Sequence, residues 1–352
     1  MNSILFRFSF IVLLIAIFGM NSSAQIIQFP NGDFRSTEPE DFLAKNYPSK
    51  FYNELYTYQF QLENGVQIVY TFSINDFGSF KSRVTGAKLM VRWLDGNDYV
   101  VNKEYPIDIF RNEADSNIIV LHPERNYWAK GRFDKKHIIR FETTKEGVSY
   151  DIQLELINIT NGVIWGDGVF KIKGNDFGIT LLIPHAEVEG FVSINGERIE
   201  AKGTAIMDLT YQKSLSTKFL NNGYRIKSGD KDNGYVFNFL TIKEKDDIIP
   251  FGYGIRFKDG EQKFISPRNI VIAKSNKTHG FWLNTDFMIT LQDGKQVNIK
   301  LKDHFDSYSI LDELRGLRKT IAKRILRGEV IELNGTADIN NQDGFFSFII
   351  IK

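Results

Sequence analysis

After residue 50, apolar and polar residues alternate along most of the chain, and the alternation breaks at glycine-bearing turns. In the clearest case Val188, Gly190, Val192 and Ile194 lead into Asn195-Gly196, and Ile199, Ala201 and Gly203 lead out. A tight type I′ turn needs positive φ at both central residues, which glycine adopts without steric cost. An earlier hairpin places Tyr56, Tyr58, Phe60 and Leu62 on one face, turns at Glu63-Asn64-Gly65, and resumes with Val66, Ile68, Tyr70 and Phe72. Further turns fall at Asp95-Gly96, Glu146-Gly147, Asp259-Gly260 and Asp293-Gly294. Strands at this spacing, with no helices between them, argue for an antiparallel all-β sandwich or barrel rather than βαβ units. They number on the order of sixteen, about two eight-stranded barrels' worth. Closing a sheet into a barrel also removes the exposed edges that long meandering strands leave.

The length of 352 residues, with 42% hydrophobic residues, is enough for two domains with packed cores. The reading divides it into a signal peptide over 1–24, a loop-rich lead-in over 25–50, a first barrel over 51–212 and a second over 213–352. In the leader, Arg7 precedes an apolar run from Phe8 to Phe18, too short to span a bilayer comfortably, and Ser22-Ser23-Ala24 supplies the small residues before a cut. An exported protein, periplasmic or extracellular and cleaved after Ala24, is expected. Lys and Arg total 44 against 43 Asp and Glu, so no global charge favours nucleic acid. The absence of Cys excludes disulfides, thiolate catalysis and Cys-ligated metals.

One helix is predicted, over 309–327. Ile310, Leu314, Leu317, Ile321 and Ile325 recur at helical spacing, Ser309 and Asp312 resemble a capping box, and Gly328 can end it. Arg315, Arg318, Lys319, Lys323, Arg324 and Arg327 make its other face basic. Two readings stand: an amphipathic helix packed on a barrel with a solvated basic face, or a surface that meets an anionic membrane.

The segment Pro184-His185-Ala186-Glu187-Val188-Glu189-Gly190, followed by Ile194-Asn195-Gly196, Gly203-Thr204-Ala205 and Asp208, resembles the junction of tandem lipocalin-like proteins: the AttH/CrtC-like family, which includes carotenoid 1,2-hydratases, and the fungal survival-factor family. The Trp282 strand, the Asp293-Gly294 hairpin and Gly335-Thr336-Ala337 fit the second barrel of such proteins. The resemblance implies two lipocalin-like antiparallel β-barrels in tandem. In its hydratase-like members, acidic and aromatic residues are expected to protonate and steady a cationic polyene. This sequence keeps the Asp as Asp208 and an aromatic as Tyr211. Leu209 stands where the family pattern has His, and Ala205 where it has a second Gly.

A carboxylate inside the apolar run Ala205–Leu209 would be a proton donor if burial raised its pKa, so Asp208 is the candidate acid and Tyr211 the candidate cation stabiliser. The competing reading has Asp208 facing solvent or bonded to a neighbouring strand, and Tyr211 as packing. His185, Trp165 and Trp282 are candidate ligand-binding residues, each with core packing as its alternative. His122, His137, His185, His279 and His304 show no paired metal-ligand spacing, and no phosphate-cradling glycine loop occurs, so no metal and no cofactor is expected. Gly229–Gly234 reads as a polar hairpin loop, because Thr241 stands where a calcium loop needs its bidentate Glu. Asn158, Asn276 and Asn334 begin glycosylation sequons. The leading functional expectation is an exported protein that binds a hydrophobic small molecule, a lipid or isoprenoid, in a barrel cavity. The alternatives are an isoprenoid hydratase or cyclase acting through Asp208, and a non-catalytic interaction scaffold.

Overall fold

The structure, a computed structural model, describes residues 26–351 except 80, 114–120, 134, 246, 279–280, 306–307, 310 and 312–315. The expected leader therefore lies outside the described residues, as do His279 and the Ile310, Asp312, Leu314 and Arg315 portion of the expected helix.

Among the described residues, the chain forms two antiparallel sheets and one α-helix. The first sheet contains β1 (Ile27–Gln28), β2 (Phe34–Ser36), β3 (Asn53–Leu62), β4 (Gln67–Asn75), β5 (Val84–Arg92), β6 (Asp98–Pro106), β7 (Tyr127–Arg132), β8 (Lys136–Lys145), β9 (Val148–Ile157), β10 (Val163–Trp165), β11 (Val169–Ile172), β12 (Asn175–Ile194) and β13 (Glu197–Gln212). The second contains β14 (Asn222–Gly229), β15 (Asn233–Glu244), β16 (Asp247–Lys258), β17 (Glu261–Ile265), β18 (Pro267–Thr278), β19 (Phe281–Leu291), β20 (Gln296–His304), β21 (Tyr308–Ser309), β22 (Val330–Ile339) and β23 (Gln342–Ile351). The five strands shorter than five residues, β1, β2, β10, β11 and β21, account for most of the excess over the expected sixteen. They lack the length that makes an alternating pattern readable.

The two sheets share one topology. The first runs β6-β5-β4-β3-β13-β12-β9-β8-β7 and the second β17-β16-β15-β14-β23-β22-β20-β19-β18. In each half the first long strand pairs with the last, which curls a meander around its own core. Tyr56, Tyr58, Phe60, Val66, Ile68, Tyr70 and Phe72 all point into one core that draws on every long strand of the first sheet. Tyr224, Phe237, Phe239, Phe287, Phe346 and Phe348 centre the second. Among the described residues no ladder joins β6 to β7 or β17 to β18, so the sheets are curled rather than closed by hydrogen bonds all the way round.

The matching hairpins are superimposable in sequence register. Asn195 and Gly196 (φ 55° and 82°) join β12 to β13, and Asn340 and Asn341 (φ 51° and 64°) join β22 to β23. Gly190 and Gly335 each stand four residues before the end of their strand, opposite Ala201 and Phe346. A Cβ at either would lie 2.1 Å from the Gln153 carbonyl oxygen or 2.0 Å from that of Asp303, so both positions require glycine.

The helix spans Leu317–Ile325, shorter than expected. Ser309 belongs to β21, paired with Ile331, and its hydroxyl accepts from the Leu311 amide at 3.2 Å. At the other end the left-handed residue is Arg327 (φ 55°). Gly328 N–H closes onto the Lys323 carbonyl at 2.9 Å and Arg327 N–H onto that of Arg324 at 3.3 Å, the bond pair of a Schellman cap.

Candidate functional site

Alternation decides what meets between the sheets. In β13, Ala205, Met207 and Leu209 face the first core, so Ile206, Asp208 and Thr210 face outward. In β14, Tyr224 and Ile226 face the second core, which turns Arg225 and Lys227 the other way. The outward faces pack against each other. One apolar pad brings Ile179, Leu181 and Ile206 against Val236, Phe251, Tyr253 and Ile255, and a smaller one brings Val69 and Met90 against Phe305 and Phe345. Tyr253 Oη donates to the Ile179 carbonyl at 2.8 Å across this seam.

Between the pads the seam is polar. Arg225 Nε donates to Asp208 Oδ2 at 2.7 Å, and its Nη2 donates to Thr210 Oγ1 at 3.3 Å. Lys88 pairs with Glu332. Gln59 Nε2 donates to Ser347 Oγ, which donates to Asn334 Oδ1. Lys227 Nζ donates to Thr204 Oγ1. Burial raises the Asp208 carboxyl above its ordinary value, while Arg225 works against the rise and Glu332 adds to it. Burial also works against charge on Glu332, but Lys88 and Arg225 outweigh it and hold that carboxyl below the usual range. Burial pulls the Lys227 amine down to about 7.

A cavity of about 260 Å³ opens in this seam. Its walls include Leu55, Thr57 and Thr71 from the first sheet and Asn238, Leu240, Tyr308 and Ile349 from the second, with Leu220 from the connection between them. Lys88, Arg225 and Glu332 bring charge to the lining, and the Asn238 side-chain nitrogen is buried without a hydrogen-bond partner among the described residues. The volume is close to the lower end of ordinary small-molecule sites. The cavity lies between the sheets and not inside a barrel: the first barrel's interior is filled by stacked rings such as Phe42 on Phe133 and Tyr58 beside His137.

The expected site residues scatter around it. Asp208 is 2% exposed, neither solvent-facing nor bonded to a neighbouring strand's backbone, and it lies outside the cavity lining, which Arg225 and Thr210 reach instead. Among the described residues its Oδ1 has no hydrogen-bond partner. Tyr211 lines the cavity, but its ring lies over Gly178, opposite it in β12, where a Cβ would come within 2.0 Å, so packing fixes its place. His185 is buried in the seam near Phe257, off the cavity, and burial, with Lys227 second, lowers its pKa to about 4. Trp165 lies tilted against Phe34, ring centroids 4.7 Å apart, also off the cavity. Trp282 is 65% exposed, because Phe281 and Leu283 take the inward positions of β19. Asn334 is fully buried, so its sequon is closed in the folded protein. Asp230 caps its own hairpin, its Oδ1 accepting from Asp232 N at 2.9 Å and Asn233 N at 3.0 Å.

Arg225, Lys88, Glu332 and Asn238 are absent from the sequence reading. Each is a polar residue alternating with apolar ones, which from sequence alone means a solvated sheet face. Only the packing of two such faces against each other makes them a buried site.

No family model matches the chain, and no curated protein matches it in sequence. Solved structures do match in shape. A Nitrosomonas europaea protein designated AttH superposes with a TM-score of 0.60 at 15% identity, covering 91% of this chain and 99% of its own. CghA with Sch210972 gives 0.58 at 9%, covering 93% and 99%. Kievitone hydratase from Nectria haematococca gives 0.52 at 10%, covering 90% and 93%. The chain therefore has the tandem lipocalin-like fold of these AttH/CrtC-like structures, as the junction motif implied.

Proposed function

We propose that the protein binds a hydrophobic small molecule with one polar end, of lipid or isoprenoid type, in the cavity between its two sheets. The observation that carries this reading is the cavity itself: apolar walls around a few buried polar groups, one of them the unpartnered Asn238 amide. An apolar body against Leu55, Leu240 and Ile349 gains about 0.8 kcal/mol per buried methylene, and the polar end meets Asn238 or Arg225. The expected export of the protein would place this activity outside the cytoplasm. Native mass spectrometry of the purified chain, with organic extraction, tests the reading. A discrete apolar adduct, lost in Asn238→Leu, supports it. No adduct after incubation with a panel of lipids and isoprenoids sinks it and favours a packed scaffold.

A second reading is an isoprenoid-modifying enzyme of hydratase or cyclase type, with Asp208 as proton donor and Tyr211 steadying the cation. It is favoured by the raised Asp208 carboxyl and its unpartnered Oδ1. It is opposed by the position of Asp208 outside the lining. Of the carboxylates that do line the cavity, Glu329 and Glu332 are both held below the usual range and are poor acids. Turnover of a bound polyene that survives Asp208→Asn would rule this reading out.

A further inference from the structure

The helix Leu317–Ile325 turns its apolar side away from the protein. Leu317 is 74% exposed, Ile321 45% and Ile325 37%. Spaced four apart, at about 100° per residue, they form one narrow ridge. The buried side of the helix is Ala322. Lys319 and Lys323 reach Glu329 of the body, at 3.8 and 3.0 Å. Arg318 and Arg324 are exposed and fall on either flank of the ridge, each about 60° from its centre. No acidic residue occurs within Leu317–Ile325. Packing on the barrel would have required the ridge to face inward, and it does not.

A bare apolar ridge between two guanidinium flanks matches a surface that offers hydrocarbon and negative charge together. Aliphatic stems lie along the apolar layer while the charged heads reach phosphate. The position of the helix is the second observation. Leu326, Gly328 and Glu329, directly after it, line the inter-sheet cavity, and Thr217 Oγ1 donates to the Leu326 carbonyl at 2.5 Å, pinning the helix end to the cavity rim.

We propose that this helix docks the protein on an anionic lipid bilayer, with Leu317, Ile321 and Ile325 at the acyl–headgroup boundary and Arg318 and Arg324 at lipid phosphates, and that docking sets the cavity rim against the membrane from which its ligand is taken. The second part rests on the reading of the cavity as a ligand site, and the first does not.

Co-sedimentation with vesicles of phosphatidylcholine, with and without phosphatidylglycerol, tests the docking. The intact protein binds the anionic vesicles, binding weakens with salt, and Leu317→Ser/Ile321→Ser and Arg318→Glu/Arg324→Glu each reduce it about tenfold. All four positions are exposed, so circular dichroism should show both variants folded. Failure to bind anionic vesicles, or equal binding by the serine variant, overturns the proposal. So does a dimer that the serine variant converts to monomer while vesicle binding stays unchanged, which would make the ridge a contact between copies. Transfer of a fluorescent lipid out of the vesicles separates the two readings. Asn238→Leu should keep docking and lose uptake. Loss of docking in the serine variant with undiminished uptake overturns the link between membrane and cavity. Docking by the intact protein without any uptake overturns the cavity reading alone.

Discussion

Arg225 Nε donates to Asp208 Oδ2 at 2.7 Å across the seam between the two sheets, with side chains 6% and 2% exposed. A pair this buried contributes little net stability compared with apolar residues of the same size, yet losing one member strands the other charge. Asp208→Ala should therefore destabilise the protein by about 3–5 kcal/mol, and Asp208→Leu/Arg225→Met should recover most of that. Urea denaturation of the three proteins measures both effects. A cost under about 1 kcal/mol for Asp208→Ala would mean that the seam readily rehydrates around Arg225.

The same pair shows where sequence reading stopped. Tyr56, Tyr58, Phe60 and the Asn195-Gly196 turn were legible because strand alternation and turn chemistry are local, and each landed in the core or the hairpin expected. Asp208 was legible as a carboxylate in an apolar run, but its partner lies in the other sheet. Arg225 reads as solvated until two outward faces are stacked. The helix was legible, but the direction it faces was not, for a related reason. Its period located the apolar positions, but period says nothing about which way the ridge faces, and Ala322 took the inward side. Tyr308 and Ser309, at the expected helix start, pair with Glu332 and Ile331 instead, a tertiary contact that overrides local helical preference.

Lys227 is buried beside Thr204 with its amine pulled down to about 7 by burial. A cation whose folded value is depressed contributes stability that is fully present above the unfolded value, near 10.5, and is lost as pH falls through about 7. The wild-type protein should thus gain stability between pH 7 and 10. Lys227→Met keeps the volume and removes the ammonium, so at pH 7 it should be more stable by about 1–4 kcal/mol, with a flatter rise. Denaturation at pH 7, 8 and 9 checks both the sign and the slope.

Three histidines act on the acid side. Burial lowers His122, His137 and His185 each to about 4. Depressed values again mean stability that is present above the unfolded value of about 6.5 and lost as pH falls through 4. Between those limits the unfolded chain takes up about three more protons than the folded one, each worth up to about 1.4 kcal/mol per pH unit. His137→Gln keeps a polar partner for Tyr58 Oη, now 2.9 Å from the ring nitrogen, and should remove about one proton from that slope. A slope unchanged from wild type between pH 6.5 and 4.5 would show that His137 already titrates in the folded protein.

Gly335 and Gly294 differ in what surrounds them. A Cβ at Gly335 would meet the Asp303 carbonyl oxygen at 2.0 Å, backbone against backbone in the β20–β22 pair, so no side chain can move to relieve it. At Gly294 the space is open and the only penalty is its φ of +80°. Left-handed backbone costs an L-residue about 1–2 kcal/mol, whereas forcing atoms into a packed ladder costs about 1–3 kcal/mol and occasionally more, here because the strands must separate. Gly335→Ala should therefore lower the denaturation midpoint more than Gly294→Ala. Gly190→Ala, at the equivalent place in the first sheet, should cost at least as much as Gly335→Ala, since its Cβ would lie 2.1 Å from the Gln153 carbonyl oxygen and its φ of +135° adds backbone strain. If Gly294→Ala proved the more damaging, turn conformation rather than close strand approach would be what these hairpin glycines protect, and the register shared by the two halves would need another physical cause.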